Sequence, residues 1–158
     1  MSELSPSALR VQQALNERGY TNQVVEHTQT TRSAKEAAAA IGCTVGQIAK
    51  SLIFCAAETR RGVLVIASGA NRVNETRLAE LLGESVERAN PDFVQDVTGF
   101  AIGGVPPLGH RTSLVTFIDQ DLMQYSEIWA AAGNPNAVFR LAPDQLPQMT
   151  GGKIISIQ

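Results

Sequence analysis

Ser51–Ser68 reads SLIFCAAETRRGVLVIAS. Two apolar runs, SLIFCAA and GVLVIAS, flank the polar stretch ETRRG. Runs of this length, rich in branched residues and joined by a short polar connection, predict a pair of strands in a hairpin. A hairpin at the centre of the chain points to a sheet with antiparallel pairing, and the elements on either side decide what covers it.

Upstream, Ser5-Pro6 has the chemistry of a helix start, and Ala8, Leu9, Val11, Ala14 and Leu15 follow before Gly19. NQVVEH predicts a short strand. Ser33 with Glu36 forms a capping-box signature before AAAAI, and Gly42 ends that helix. Thr44 with Gln47 repeats the signature and predicts a helical turn through Ala49. Downstream, Asn74 caps a helix running to Leu82, with Gly83 after it. VERA predicts a brief strand, and Asn90-Pro91 begins a helix to Val97. SLVTFID and AVFRLAP predict strands, Pro143–Leu146 a helical turn, and IISIQ a closing strand. Mixed helices and strands with hairpin connections imply an α/β domain with a mixed, mainly antiparallel sheet and flanking helices. No repeat, low-complexity segment or linker divides residues 1–158, so a single domain is expected.

Composition narrows the function. The chain has 158 residues, 44% hydrophobic and 18% charged, as globular chains do. No apolar run reaches membrane-span length, and MSELSPSALR lacks the layout of a secretory leader. Cys43 and Cys55 stand apart, with no CxxC; both are expected to be core thiols in a reduced, cytoplasmic protein. The formal net charge of −2 argues against a broad nucleic-acid footprint and leaves room for a contact with one or two phosphates. Neither His27 nor His110 sits near a cysteine or carboxylate at ligand spacing, so no metal site is expected. GxSxG and GxGxxG are absent, and TGGKIIS lacks the first glycine of a phosphate loop. No cofactor and no membrane partner is expected.

Three features remain. Lys50, in QIAKSLIF, is either a solvated lysine at a strand mouth or a cation facing a cleft, able to pair with a phosphate or carboxylate. SGANRVN, Ser68–Asn74, is either a capped strand-to-helix turn or a small-residue strand end that a ligand approaches. GGVPPLGH, Gly103–His110, is either a structural turn or a loop whose consecutive glycine N–H groups hold an oxyanion or a water.

Taken in order, EAAAAIGCTVGQIAKSLIF, LVIASGANRVN, TGFAIGGVPPLGH and IWAAAGNPNAVFRLAP resemble the YbaK/ProX family of aminoacyl-tRNA deacylases, the domain type inserted in many bacterial prolyl-tRNA synthetases. The resemblance spans about His27 to Leu146. It implies a compact α/β domain whose mixed sheet curls toward a barrel. It also implies hydrolysis of the ester joining a wrong amino acid to the terminal adenosine of tRNA, carried out in trans. The family's essential lysine falls at Lys50, its Gly-x-x-x-Pro loop at Gly103–Pro107, and its small-residue pocket wall at Ala131–Gly133. The segment Thr28–Ser33 is shorter than in the cysteine-directed branch, and Ser51 follows the lysine where relatives vary.

On this reading Lys50 holds the terminal phosphate and the N–H groups of Gly103 and Gly104 polarise the carbonyl or hold the water. Thr30, Ser51, Gly69, Asn71, Pro107, Ala131 and Gly133 contact the substrate. The missing side-chain base is supplied by the ribose hydroxyl beside the ester. The expected partner is the tRNA acceptor end, with a synthetase or elongation factor as a source of further affinity. Two other classes fit the same residues: a non-catalytic module binding a tRNA end or nucleotide, and a hydrolase of small esters.

Overall fold

The computed structural model describes residues 4–27 and 33–158. Helix α1 (Pro6–Glu17) leads to strand β1 (Val24–Glu26). Helix α2 (Ala34–Ile41) starts where the Ser33 hydroxyl accepts the Glu36 N–H at 3.0 Å, and it stops at Gly42, left-handed at φ 86°. A 3₁₀ turn (Val45–Gln47) leads straight into β2 (Ile48–Ala56), followed by β3 (Gly62–Ser68). Helix α3 (Glu75–Leu82), β4 (Val86–Arg88) and α4 (Pro91–Thr98) come next. After the Gly/Pro loop lie β5 (Val115–Asp119), a 3₁₀ stretch (Gln120–Gln124), β6 (Ile128–Ala131), β7 (Ala137–Leu141), α5 (Gln145–Thr150) and β8 (Lys153–Ile155).

The quoted hairpin is the middle of the sheet. β2 and β3 pair antiparallel from Ala49↔Ser68 to Cys55↔Gly62. The strand order is β1-β7-β6-β2-β3-β5-β8, with β4 paired to β2 off this path. Four pairings are antiparallel and three parallel, so the sheet is mixed with a narrow antiparallel majority. It runs from a β1 edge to a β8 edge and does not close into a barrel.

Every residue of β3 is buried, because both faces of that strand are covered. One face carries Leu64 and Ile66 into a core shared with Val11 and Leu15 of α1. The other carries Val63, Val65 and Ala67 against Leu78 of α3 and Ile157. A third cluster, Ala37, Ala38 and Ile48 with Trp129 against it, seats α2 on the sheet near the start of β2.

Several boundaries differ from the sequence expectation. The turn after Thr44 ends at Gln47, so Ile48 and Ala49 belong to β2 and Lys50 lies inside the strand. The turn at Pro143–Leu146 opens a helix that extends to Thr150, and the closing strand is Lys153–Ile155. Ile128–Ala131 was not expected as a strand. Its alanines carry little strand preference, and pairing with β2 and β7 selects the extended form.

Candidate functional site

β2 has partners at both ends of its outer edge and a gap between them. β6 joins it at Ile48 and Ala49, and β4 at Phe54 to Ala56. The strands diverge around Lys50–Leu52, and a cavity of about 430 Å³ opens there. That is ample for a small-molecule group. Its walls are Ala34 and Ala37 of α2, Ala130 and Ala131 of β6, and Val138 of β7. Ile102 and Gly103 form the rim, and Ile102 is an apolar side chain left exposed there.

Lys50 and Gly103, fifty-three positions apart, border this one cavity. Lys50 belongs to the face of β2 that also carries Leu52 and Phe54, and Arg88 lies opposite Phe54 on that face. Arg88 also lines the cavity. Burial pushes the Lys50 pKa down, the positive charges of Arg88 and Arg72 push it further, and Asp119 pulls it back up. Among the described residues, ion pairs join Arg60 to Glu87, Arg61 to Glu84 and Arg140 to Glu127; Lys50, Arg72 and Arg88 enter none. The described cavity lining holds no histidine or carboxylate.

The Gly/Pro loop behaves differently from its expectation in one respect. Gly103 is left-handed at φ 89°, as only glycine easily permits, and it lines the cavity. Gly104 does not line it: its N–H donates to the Ala101 carbonyl at 3.0 Å, and its own carbonyl accepts from the Gly133 N–H at 2.8 Å. The Gly104 amide is therefore committed inside the turn and is not a second oxyanion donor. A side chain at Gly104 would press within 2.6 Å of the Asn134 Cα, so this glycine lets two loops lie backbone to backbone. The loop's far end is held by the His110 ring, whose Nε2 lies 2.6 Å from the Pro106 carbonyl.

The other expected contacts divide. Ser51 lines the cavity, and its hydroxyl is buried without a partner among the described residues. Ala131 lines it as well. Gly133, at φ 102°, meets the Ser7 carbonyl of α1 rather than the cavity. Pro107 is buried beside Leu108 and His110, outside the cavity. Gly69 lets the 3₁₀ turn and α2 close over the end of β3, where a Cβ would come within 2.5 Å of the Val45 carbonyl. Asn71 donates to the carboxylates of Asp119 and Asp121 at 2.9 and 2.7 Å. Thr30 lies outside the described residues.

Arg88, Ile102, Trp129 and Asn134 were not anticipated. Arg88 sits in VERA, read only as a strand, and it reaches the site through a pairing between residues more than thirty apart. Asn134 steadies the rim: its amide donates to the Ser5 and Ser7 hydroxyls at 2.9 and 3.0 Å, and its side-chain carbonyl accepts the Asn136 N–H at 2.8 Å.

The profile of the aminoacyl-tRNA editing domain matches residues 28–149. The chain belongs to the aminoacyl-tRNA editing domain family. A structure solved as a candidate trans-editing enzyme for prolyl tRNA synthetase is 47% identical, covers 99% of each chain and superposes with a TM-score of 0.94. A candidate Cys-tRNA(Pro)/Cys-tRNA(Cys) deacylase of Enterococcus faecalis is 29% identical over 79% of this chain and 76% of its own. The proline–tRNA ligase of Limosilactobacillus fermentum is 31% identical over 65% of this chain, which corresponds to 20% of that ligase. The expected fold, family and editing activity agree with these likenesses. Among the described residues no helix is long and apolar enough to cross a membrane.

Proposed function

We propose that this chain is an aminoacyl-tRNA deacylase acting in trans, releasing a wrongly attached amino acid from the 3′ end of tRNA at the Lys50 cavity. The observation that carries the reading is that Lys50, without a counter-ion among the described residues, and the Gly103 backbone line one cavity walled by small residues. Lys50 holds the terminal phosphate and so fixes the ester over the rim; positioning of that kind supplies several orders of magnitude in rate. Arg88 and Arg72 extend the positive surface toward the preceding phosphates. Ala131 and its neighbours limit the side chain that enters.

Water adds to the ester carbonyl carbon, the bond to the ribose oxygen breaks, and that oxygen takes up the proton the water gives away. The absence of histidine and carboxylate from the described lining supports a route in which the neighbouring ribose hydroxyl orients the water. An ester is an activated bond, so a few well-placed dipoles suffice. A synthetase pocket separates side chains one methylene apart only about 10–200-fold, which leaves errors for a second sieve.

A deacylation screen over a panel of mischarged tRNAs tests the reading. Release of one or a few small amino acids faster than spontaneous hydrolysis is the expected result. Bound tRNA with every ester intact would instead establish a non-catalytic tRNA-end module.

A further inference from the structure

The ladder of β2 contains an interruption that matters for the substrate. The Ile48 carbonyl accepts from the Gly69 N–H at 2.8 Å, and the Ala56 N–H donates to the Arg61 carbonyl at 3.0 Å. Antiparallel pairs alternate in this way, so the even-numbered residues of β2 turn their peptide groups toward β3. The odd-numbered residues turn theirs to the opposite edge. On that edge Ala49 is the last residue in register with β6, and the Ile53 carbonyl accepts from the Ala89 N–H at 3.1 Å. Ser51 falls between the two. The register of β6 stops at Ala49 and that of β4 begins at Phe54, so among the described residues neither strand has a residue paired with Ser51, and its hydroxyl is buried and unpartnered as well. A peptide group left unpaired inside a fold costs about 1–3 kcal/mol unless something else satisfies it. The cavity opens at this point, next to Lys50.

An open stretch of strand edge is a template for another extended segment. An aminoacyl ester is one residue of such a segment, with donors on its ammonium and an acceptor on its carbonyl. We propose that the aminoacyl group of the substrate pairs with Ser51 as a single added strand residue, its ammonium donating to the Ser51 carbonyl and its ester carbonyl accepting from the Ser51 N–H. This rests on the deacylase reading and deepens it. The Ser51 amide takes the role that Gly104 leaves vacant: it stays bonded to the carbonyl oxygen as water adds and the oxygen gains charge. The substrate class is narrowed to esters bearing a free or singly substituted α-nitrogen, and the side chain is held at a fixed angle to the alanine wall.

Ser51→Pro removes the N–H at a position whose amide faces an open edge, where proline is tolerated in a strand. Its kcat on the preferred mischarged tRNA is expected to fall about 10²–10³-fold, the usual loss for one oxyanion donor. Ser51→Ala keeps the peptide group but gives up the hydroxyl facing the substrate, and is expected to lose about tenfold, the cost of one neutral hydrogen bond, well short of the loss in the proline variant. Wild-type kcat in the proline variant overturns the pairing. A second measurement holds even where that variant does not fold. Titration of the wild-type protein with 3′-alanylamino-3′-deoxyadenosine 5′-monophosphate, a non-hydrolysable probe, is expected to move the Ser51 amide resonance downfield and leave that of Gly104 in place. A Ser51 amide unmoved at the highest probe concentration overturns the proposal. Both results leave the deacylase reading standing; that reading fails only if the wild type releases no amino acid from any charged tRNA.

Discussion

Two polar regions lie at neighbouring ends of the central strands, and they are built on opposite principles. At the end of β3, Asp119 is buried and saturated: one carboxylate oxygen accepts from the Ser68 N–H and the Asn71 amide at 2.9 Å each, the other from the Asp121 N–H at 2.9 Å. At the gap in β2, among the described residues, Lys50 has no counter-ion, the Ser51 hydroxyl has no partner, and neither β4 nor β6 pairs with Ser51. Structural polar networks are completed within the fold because each unmade hydrogen bond is costly. Groups left incomplete beside a cavity are where a ligand finishes the network. On the proposed reading, that difference puts Asn71 and Gly69 in the scaffold and Lys50 and Ser51 in the site.

The comparison can be broken first at the saturated end. Asp119→Ala strands the Ser68 N–H and the Asn71 amide, and is expected to lower stability by about 3 kcal/mol in a urea melt. Deacylation per folded molecule should persist; loss of catalysis without loss of stability would move Asp119 into the site. Gly104→Ala comes next, because a methyl pressed on the Asn134 backbone forces the two loops apart. A loss of about 1–3 kcal/mol is expected, together with slower deacylation through displacement of Gly103.

At the unsaturated end, effects on stability should be small or reversed. Arg88→Ala is expected to leave the melting temperature unchanged and to reduce the slope of log K for tRNA against log salt by about 0.7, one phosphate contact on a single strand. An unchanged slope would place Arg88 away from the nucleic acid. The pH dependence is subtler. Burial first, then the charges of Arg88 and Arg72, hold the Lys50 pKa below its ordinary value, so the folded chain gives up this proton at a lower pH than the unfolded chain. Between those two values the unfolded state binds more protons, and stability rises with pH through that window. Below it the charged lysine is a constant cost. Lys50→Met should remove that rise and make the protein slightly more stable at neutral pH; an undiminished alkaline rise in the variant would assign it to other groups.

Much of this was legible locally. The hairpin, the Ser33, Asn74 and Asn90 caps and the glycine stops all depend on a few adjacent residues, and the structure has them where the chemistry of those residues places them. Lys50 was readable as an oddity, a cation inside an apolar run. What escaped depends on distant partners. The β6 strand exists because β2 and β7 flank it, and Arg88 reaches the cavity because β4 pairs with the far end of β2. Gly104 was misread for the same reason: its amide is consumed by Ala101 nearby, and its lack of a side chain serves a loop thirty residues away. The gap that exposes Ser51 is a property of three strands and has no signature in any one of them.

The central claim is that the Lys50 ammonium, without a counter-ion among the described residues, serves chemistry rather than folding. Single-turnover deacylation of the preferred mischarged tRNA by the wild type and by Lys50→Ala, each with a thermal melt on the same preparation, tests it most directly. A rate reduced by about 10²–10³-fold or more at an unchanged or higher melting temperature is the expected result. Wild-type deacylation in the alanine variant would contradict the assignment of this cavity as the site of ester hydrolysis.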